Sequence, residues 1–391
     1  MLVALKIWRY DSSTGDRALK EYEIEAPDEA TLLDCLDIVK DRHDGTLAFR
    51  KSCRMMICGS CGMRMDGGAV LACKTRMYDI AQSGRVPVIS AMGNLPIVKD
   101  LVVDMEPFWE KFRAMKPYLQ PGYDRPEDGK EYRIDQQRMN VVHKEALCIN
   151  CGCCVSECNA MESDPEFLGP QALAKGMRFV GDPRDAANVE RLESYSGQHG
   201  IWECTRCFFC NERCPKGVDP RDAIAKLGAE AIAHGIDRDM GAKHAKWFIR
   251  SSETTGWLRE TELVPKTQGV VSSIKQMKFA INLARHQKAG LEFPPHVARD
   301  VSEARNLRKV VREQDRQGAL GHVQGERALA KLAHGYEEGL DPYGPGSFPR
   351  PYLPGQNDGQ VMGGSNQGQG SLTQADVTPG AEPTRKPEGG G

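Results

Sequence analysis

The sequence predicts an α+β chain: a small α/β unit, a mostly helical middle, a charged helical extension and a low-complexity tail. Three observations predict this order. Alternation of apolar and polar residues is confined to the first part, in Ala4–Tyr10 and Lys20–Glu25. Cysteines fall in three tight groups, one inside that first unit and two between helical patterns. From about Pro342 the composition turns to Gly, Pro, Gln, Asn and Ser.

Residues 1–105 form the first expected domain. Its two alternating segments read as half-buried strands, with Thr14-Gly15 as the turn between them. Thr31-Leu-Leu-Asp34 has the form of a capping box, and Leu32, Leu36 and Val39 then share one helical face. Further short strands are expected around Ala48-Phe49 and Val70-Leu71. Pro117, Pro121 and Pro126 mark an irregular link into residues 106–250, where Gln171–Val180 and Asp222–His234 carry helical patterns. Residues 251–340 hold no cysteine and include a charged, helix-like run, Val301–Lys331. Residues 341–391 have too little apolar surface to offset the entropy of ordering and are expected to be disordered.

Composition narrows the function. The formal net charge of −2 gives no reason to expect nucleic acid or an anionic surface as partner of the whole chain. No run approaches the ~18 apolar residues of a membrane span, and the start, Met1-Leu-Val-Ala-Leu-Lys-Ile-Trp, alternates like a strand rather than a signal peptide. The expected location is the cytoplasm, with membrane contact through a partner. Thirteen of the fourteen cysteines lie between Cys53 and Cys214. Spacings of two or three in a large cytoplasmic chain point to metal rather than to disulfides.

The first group reads Cys53-Arg-Met-Met-Ile-Cys58-Gly-Ser-Cys61, with Cys73 following. C-x4-C-x2-C with a later fourth cysteine is the plant-type [2Fe–2S] spacing. One loop must offer three thiolates from different directions, and Gly59 and Gly62 let the backbone come close and take positive φ. Loop amides can then donate to cluster sulfurs. A zinc knuckle pairs two short C-x2-C units, which this spacing fits poorly.

The second group is Cys148-Ile-Asn-Cys151-Gly-Cys-Cys154-Val-Ser-Glu-Cys158, and the third is Cys204-Thr-Arg-Cys207-Phe-Phe-Cys210-Asn-Glu-Arg-Cys214-Pro215. Both are C-x2-C-x2-C-x3-C, and two copies are the bacterial two-cluster ferredoxin signature, in which the last cysteine of each run serves the other cluster. Cys148, Cys151, Cys154 and Cys214 are therefore expected to hold one cluster, and Cys158, Cys204, Cys207 and Cys210 the other. Eight thiolates could hold two zinc ions, but zinc does not explain the doubled run. Cys35 and Cys153 read as packing residues. His143 and His199 read as surface or structural groups, and Lys216 and Arg206 as charges near the third group. No G-x-G-x-x-G, P-loop or zinc-hydrolase motif is present, so no catalytic residue is assigned.

The segment Phe49-Arg-Lys-Ser-Cys53 through Gly62 resembles the [2Fe–2S] loop of the iron–sulfur subunits of succinate dehydrogenase/fumarate reductase. Asp66-Gly67, Leu71-Ala-Cys73, Phe167-Leu-Gly-Pro170, Asp182-Pro-Arg-Asp185 and Cys214-Pro-Lys-Gly217 continue the resemblance, which covers roughly residues 1–235. It implies a β-grasp ferredoxin domain followed by an α-helical ferredoxin domain. It also implies an FAD-containing flavoprotein partner and a membrane anchor that exchanges electrons with quinone. The chain would then be a one-electron relay, peripheral on the inner face of the cell membrane, with the dicarboxylate chemistry on the flavoprotein.

Departures from the common family pattern refine this. The position of Cys207 is not cysteine in members with a [3Fe–4S] third cluster, so a second [4Fe–4S] is the expectation here. Ser163 and Thr205 stand where the family lends a tryptophan and a histidine to the quinone pocket, and Asn159 replaces the proline after Cys158. These changes resemble a variant group with an anchor similar to a heterodisulfide reductase subunit. Gly217–Ile224 and Gly241–Ala245 resemble the small iron–sulfur subunits of those reductases. The rival readings are an iron–sulfur subunit of a heterodisulfide-reductase-like or other flavin dehydrogenase complex, and a zinc-stabilised interaction module.

Overall fold

A computed structural model describes residues 1–11, 13–122 and 139–286, and the single positions 301, 302, 306 and 309. Pro126, the bulk of the helix expected in Val301–Lys331 and the tail from 341 lie outside the described residues.

The first domain is a mixed five-stranded sheet with a helix across it. Its elements are β1 (Leu2–Tyr10), β2 (Arg17–Glu25), α1 (Leu32–Arg42), β3 (Gly62–Met65), β4 (Gly68–Leu71), α2 (Tyr78–Gln82) and β5 (Val88–Ser90). The strand order is β2-β1-β5-β3-β4, with β1 parallel to β5 and the other neighbours antiparallel. Strand period sends Val3, Leu5 and Ile7 of β1 into the core, facing Tyr22 and Ile24 from β2. The capping box forms as the sequence predicts: Asp34 N donates to Thr31 Oγ1 at 3.3 Å and Thr31 N donates to an Asp34 carboxylate oxygen at 3.0 Å. Helix α1 buries Leu32, Leu33, Cys35, Leu36 and Val39, each leucine or valine contributing about 1.5–3 kcal/mol before entropy. The β3–β4 hairpin turns on Asp66-Gly67, both at positive φ (51° and 80°), as a two-residue loop between twisted strands requires.

The strand expected at Ala48-Phe49 does not form. Ala48 N donates instead to an Asp100 carboxylate oxygen (2.8 Å), and its carbonyl accepts from Leu101 N (3.2 Å). Asp100 is also the partner of Arg9, which takes the inward place on β1 where an apolar side chain is expected. Arg9 Nε and Nη2 donate to Asp100 at 2.9 and 3.1 Å, and Nη1 donates to Tyr22 OH at 2.9 Å. Burial works against this guanidinium, but Asp100, Tyr22 and Asp44 together hold it above its ordinary value.

A small two-stranded sheet, β6 (Ile97–Lys99) and β7 (Val102–Val103), leads to α3 (Glu106–Ala114) and into the helical region. There α4 (His143–Ala146), α5 (Cys153–Ser156), α6 (Asn159–Ser163), α7 (Pro170–Val180), α8 (Asn188–Tyr195), α9 (Phe209–Glu212) and α10 (Pro220–Ala233) surround a second core. Helices α7 and α10 are its centre, with Phe167, Leu173, Leu192, Tyr195, Ile201 and Leu227 buried around them. Gly176 makes room for Tyr195 against α7, since a Cβ there would sit 2.7 Å from the ring. Buried Arg191 pairs with Asp185 at 3.0 Å and donates to the carbonyls of Met115, Lys116 and Tyr118, tying the link to the domain. Among the described residues up to 286, α11 (Met240–Thr255), α12 (Glu260–Gln268), α13 (Val270–Lys275) and α14 (Met277–Arg285) follow.

Candidate iron–sulfur centres

The three cysteine groups share one backbone device. In the first loop Arg54 (φ 58°), Met56 (φ 58°) and Gly59 (φ 71°) are left-handed. Alternating handedness turns successive N–H groups to one side, making a concave nest for negative charge. Met55 N, Ile57 N and Cys58 N accordingly donate to Cys53 Sγ at 3.3–3.4 Å. The two later runs repeat the pattern at matching positions. Asn150 and Gly152 are left-handed in one (56° and 80°), Arg206 and Phe208 in the other (58° and 68°). A side chain at positive φ costs on the order of 1 kcal/mol, and three of these four places, Asn150, Arg206 and Phe208, accept it without being glycine.

The sequence-predicted residues come together as three sets of four. In the first loop Cys58 Sγ lies 3.1 Å from Ser60 Oγ, and this bond, with those from Cys53, holds the Cys58 thiol down to about 6. Burial pushes Cys61 up to about 11, with Cys73 and Cys58 beside it. A cavity behind the second run is lined by Cys148, Cys151, Cys154 and Cys214, with Gln171 and Lys216 at its edge. Burial raises Cys154 well above its ordinary value, and the nearby Cys151, Cys148 and Cys214 add to the rise. In the third set burial pushes Cys210 up to about 12, reinforced by Cys204, Cys158 and Cys207. Each run thus lends its last cysteine to the other set. Val218 N donates to Cys214 Sγ at 3.3 Å where the chain crosses over.

These residues fit iron–sulfur clusters on their own chemistry. Four thiols around a shared space with inward amides suit a larger, electron-rich group.

Several neighbours were not legible in the sequence. Cys153 is buried in the first core, as a packing residue should be, but its thiol is also the main partner that holds Cys151 down to about 7. Lys216 borders the second set, not the third, because Cys214 next to it belongs there. Lys175 Nζ donates to Cys148 O at 3.1 Å. His199 is structural, as expected: its two ring nitrogens lie 2.7 Å from Asp164 and 2.8 Å from Glu166. Ser163 and Thr205 are both exposed, while Cys207 is half-buried.

The two domains meet at the clusters' own loops. A Cβ on Gly59 would lie 2.8 Å from Cys151 Cα, and one on Gly62 would lie 3.0 Å from Cys151 O. Gly93 N donates to Ser156 Oγ at 2.9 Å, and Asn94 Nδ2 donates to the carbonyls of Val155 and Cys158 at 2.8 and 3.0 Å.

Comparison with known proteins agrees with this architecture. Residues 4–110 match the family described as 2Fe-2S iron-sulfur cluster binding domain, and residues 146–218 the 4Fe-4S dicluster domain. The fumarate reductase iron–sulfur subunit of Mycobacterium tuberculosis is 39% identical over 218 residues, covering 56% of this chain and 87% of that protein. The 8-methylmenaquinol:fumarate reductase iron–sulfur subunit of Wolinella succinogenes is 32% identical over 287 residues, covering 72% and 88%. Among solved structures, a chain of the Mycobacterium smegmatis Sdh1 complex in the apo form aligns with a TM-score of 0.53 at 25% identity, over 61% of this chain and 98% of that one. The chain therefore belongs to the family of fumarate reductase/succinate dehydrogenase iron–sulfur subunits.

Proposed function

We propose that this chain is the electron-transfer subunit of a succinate dehydrogenase or fumarate reductase complex. In this reading Cys53, Cys58, Cys61 and Cys73 hold a [2Fe–2S] cluster. Cys148, Cys151, Cys154 and Cys214 hold a [4Fe–4S] cluster. Cys158, Cys204, Cys207 and Cys210 hold a third, of [4Fe–4S] type. The observation that carries the reading is the exchange of Cys158 and Cys214 between the two later runs, which leaves four thiols around each space.

Bound clusters supply reversible one-electron chemistry. The chain does the rest. The left-handed nests present amides to sulfur and stabilise added negative charge. Burial of Cys61, Cys154 and Cys210 keeps water from part of each set. The Gly59–Cys151 contact fixes the spacing of the first two sets, and Cys154 and Cys210 adjoin across the other two. The three sets thus form a continuous series, suited to a flavoprotein at one end and an anchor at the other.

The finer reading gives the complex a heterodisulfide-reductase-like anchor and peripheral attachment to the membrane. Cys207 standing in the third set, with exposed Ser163 and Thr205 in place of the family's tryptophan and histidine, supports it. Among the described residues no helix is long and apolar enough to cross a membrane. The domain limits proposed are 1–105, 106–250, 251–340 and 341–391; α3 beginning at Glu106 supports the first limit, whereas α11 (Met240–Thr255) runs across the second. Affinity purification of the tagged chain from its own cells tests the assembly. A co-purifying flavoprotein with succinate or fumarate activity supports it; a flavoprotein active only on another substrate overturns it.

A further inference from the structure

Among the described residues the apolar face of α13 and α14 is left uncovered, and its charges say what covers it. Val271, Ile274, Met277, Phe279 and Ile281 are between 48% and 71% exposed. Val271, Ile274, Met277 and Ile281 recur at steps of three, three and four, which places them along one stripe of a nearly continuous pair of helices. Lys275, Lys278 and Arg285 sit at neighbouring helical positions and are exposed too. Between Glu262 and Glu292 the sequence contains no acidic residue, but it has Lys266, Lys275, Lys278, Arg285 and Lys288. This local excess stands out in a chain whose net charge is −2.

An apolar stripe edged by lysines is the pattern of a helix lying in a lipid–water interface. The stripe enters the acyl boundary, and the long lysine and arginine stems carry their charges back to the headgroups. Protein interfaces favour aromatic residues, Met and Arg, but are depleted in Lys. Two lysines beside this stripe therefore favour lipid over a protein groove. We infer that residues 270–285 form an interfacial lipid contact that binds anionic phospholipid surfaces directly. This goes beyond anchorage through a partner subunit and does not depend on the cluster assignment.

The test is co-sedimentation of the purified full-length chain with vesicles of phosphatidylcholine alone or with about one third phosphatidylglycerol. The expected result is binding to the anionic vesicles only, weakened roughly tenfold or more by high salt or by the double variant K275E/K278E. The variant I274E/M277E should abolish binding to the anionic vesicles. Each substituted side chain is exposed, so circular dichroism and iron content should be unchanged, which separates loss of lipid binding from loss of fold. Binding to neither vesicle, or equal binding to both with no effect of the variants, overturns the inference. So does I274E/M277E releasing an anchor subunit from the complex while vesicle binding by the chain is unaltered.

Discussion

Gly59 and Cys151 touch, with the glycine Cα pressed on the backbone of the second cysteine run so that an added Cβ would lie 2.8 Å from both Cα and Cβ of Cys151. The glycine is also left-handed, at φ 71°. Gly59→Ala therefore meets both a backbone clash and an unfavourable dihedral, together about 2–4 kcal/mol. The variant should melt at lower temperature and exchange electrons more slowly between its first and second centres, with iron content kept. Wild-type melting and wild-type exchange would show that the contact does not set the spacing.

Cys207 decides the third set. Cys207→Ser should lower iron by about one atom per chain and produce a [3Fe–4S] signal in the oxidised state. Iron counts and low-temperature EPR on paired preparations read this directly. An unchanged spectrum would place Cys207 outside the ligand set.

Asp100 joins three parts of the first domain through Arg9, Tyr10 and Ala48. It is 3% exposed, so its removal strands a buried guanidinium. Asp100→Ala should cost about 3–5 kcal/mol, even though Arg9 keeps Asp44. A shift in urea midpoint corresponding to less than about 1 kcal/mol would mean that Asp44 suffices.

His199 gives the chain a pH dependence. Its bond to Asp164 raises it from the ordinary 6.5, with Glu166 adding to the effect. The stabilisation is fully present below about 6.5 and is lost as pH rises through the higher folded value. Asp164 is lowered from 3.8 by the same bond, so its share is lost as pH falls through that lowered value. Melting temperature should decline as pH rises above about 6.5 in the wild type, and His199→Gln should flatten that decline. Identical slopes would remove His199 from the account.

Local signals were legible in the sequence and long-range ones were not. Thr31 with Asp34 marked the start of α1 because a cap is written within four residues. The cysteine spacings marked three sets because loop geometry ties ligand position to short intervals. The strand expected at Ala48-Phe49 failed for the opposite reason, since the group that binds its amide, Asp100, is fifty-two residues away. β5 has only three residues, yet it is central to the sheet, paired in parallel with β1. Its place is set by tertiary pairing, which no local periodicity encodes. Cys153 was readable as packing, but its bond to Cys151 follows from a fold in which α5 enters the first domain's core.

The most direct test of the central claim is an anaerobic preparation assayed for iron and sulfide and examined by EPR when oxidised and when reduced. Three complete ligand sets predict about ten irons per chain, an EPR-silent oxidised state, and three paramagnetic centres on reduction. A colourless protein containing zinc would contradict the iron–sulfur assignment. About nine irons with a strong oxidised [3Fe–4S] signal, persisting under strict anaerobic handling, would contradict the third ligand set.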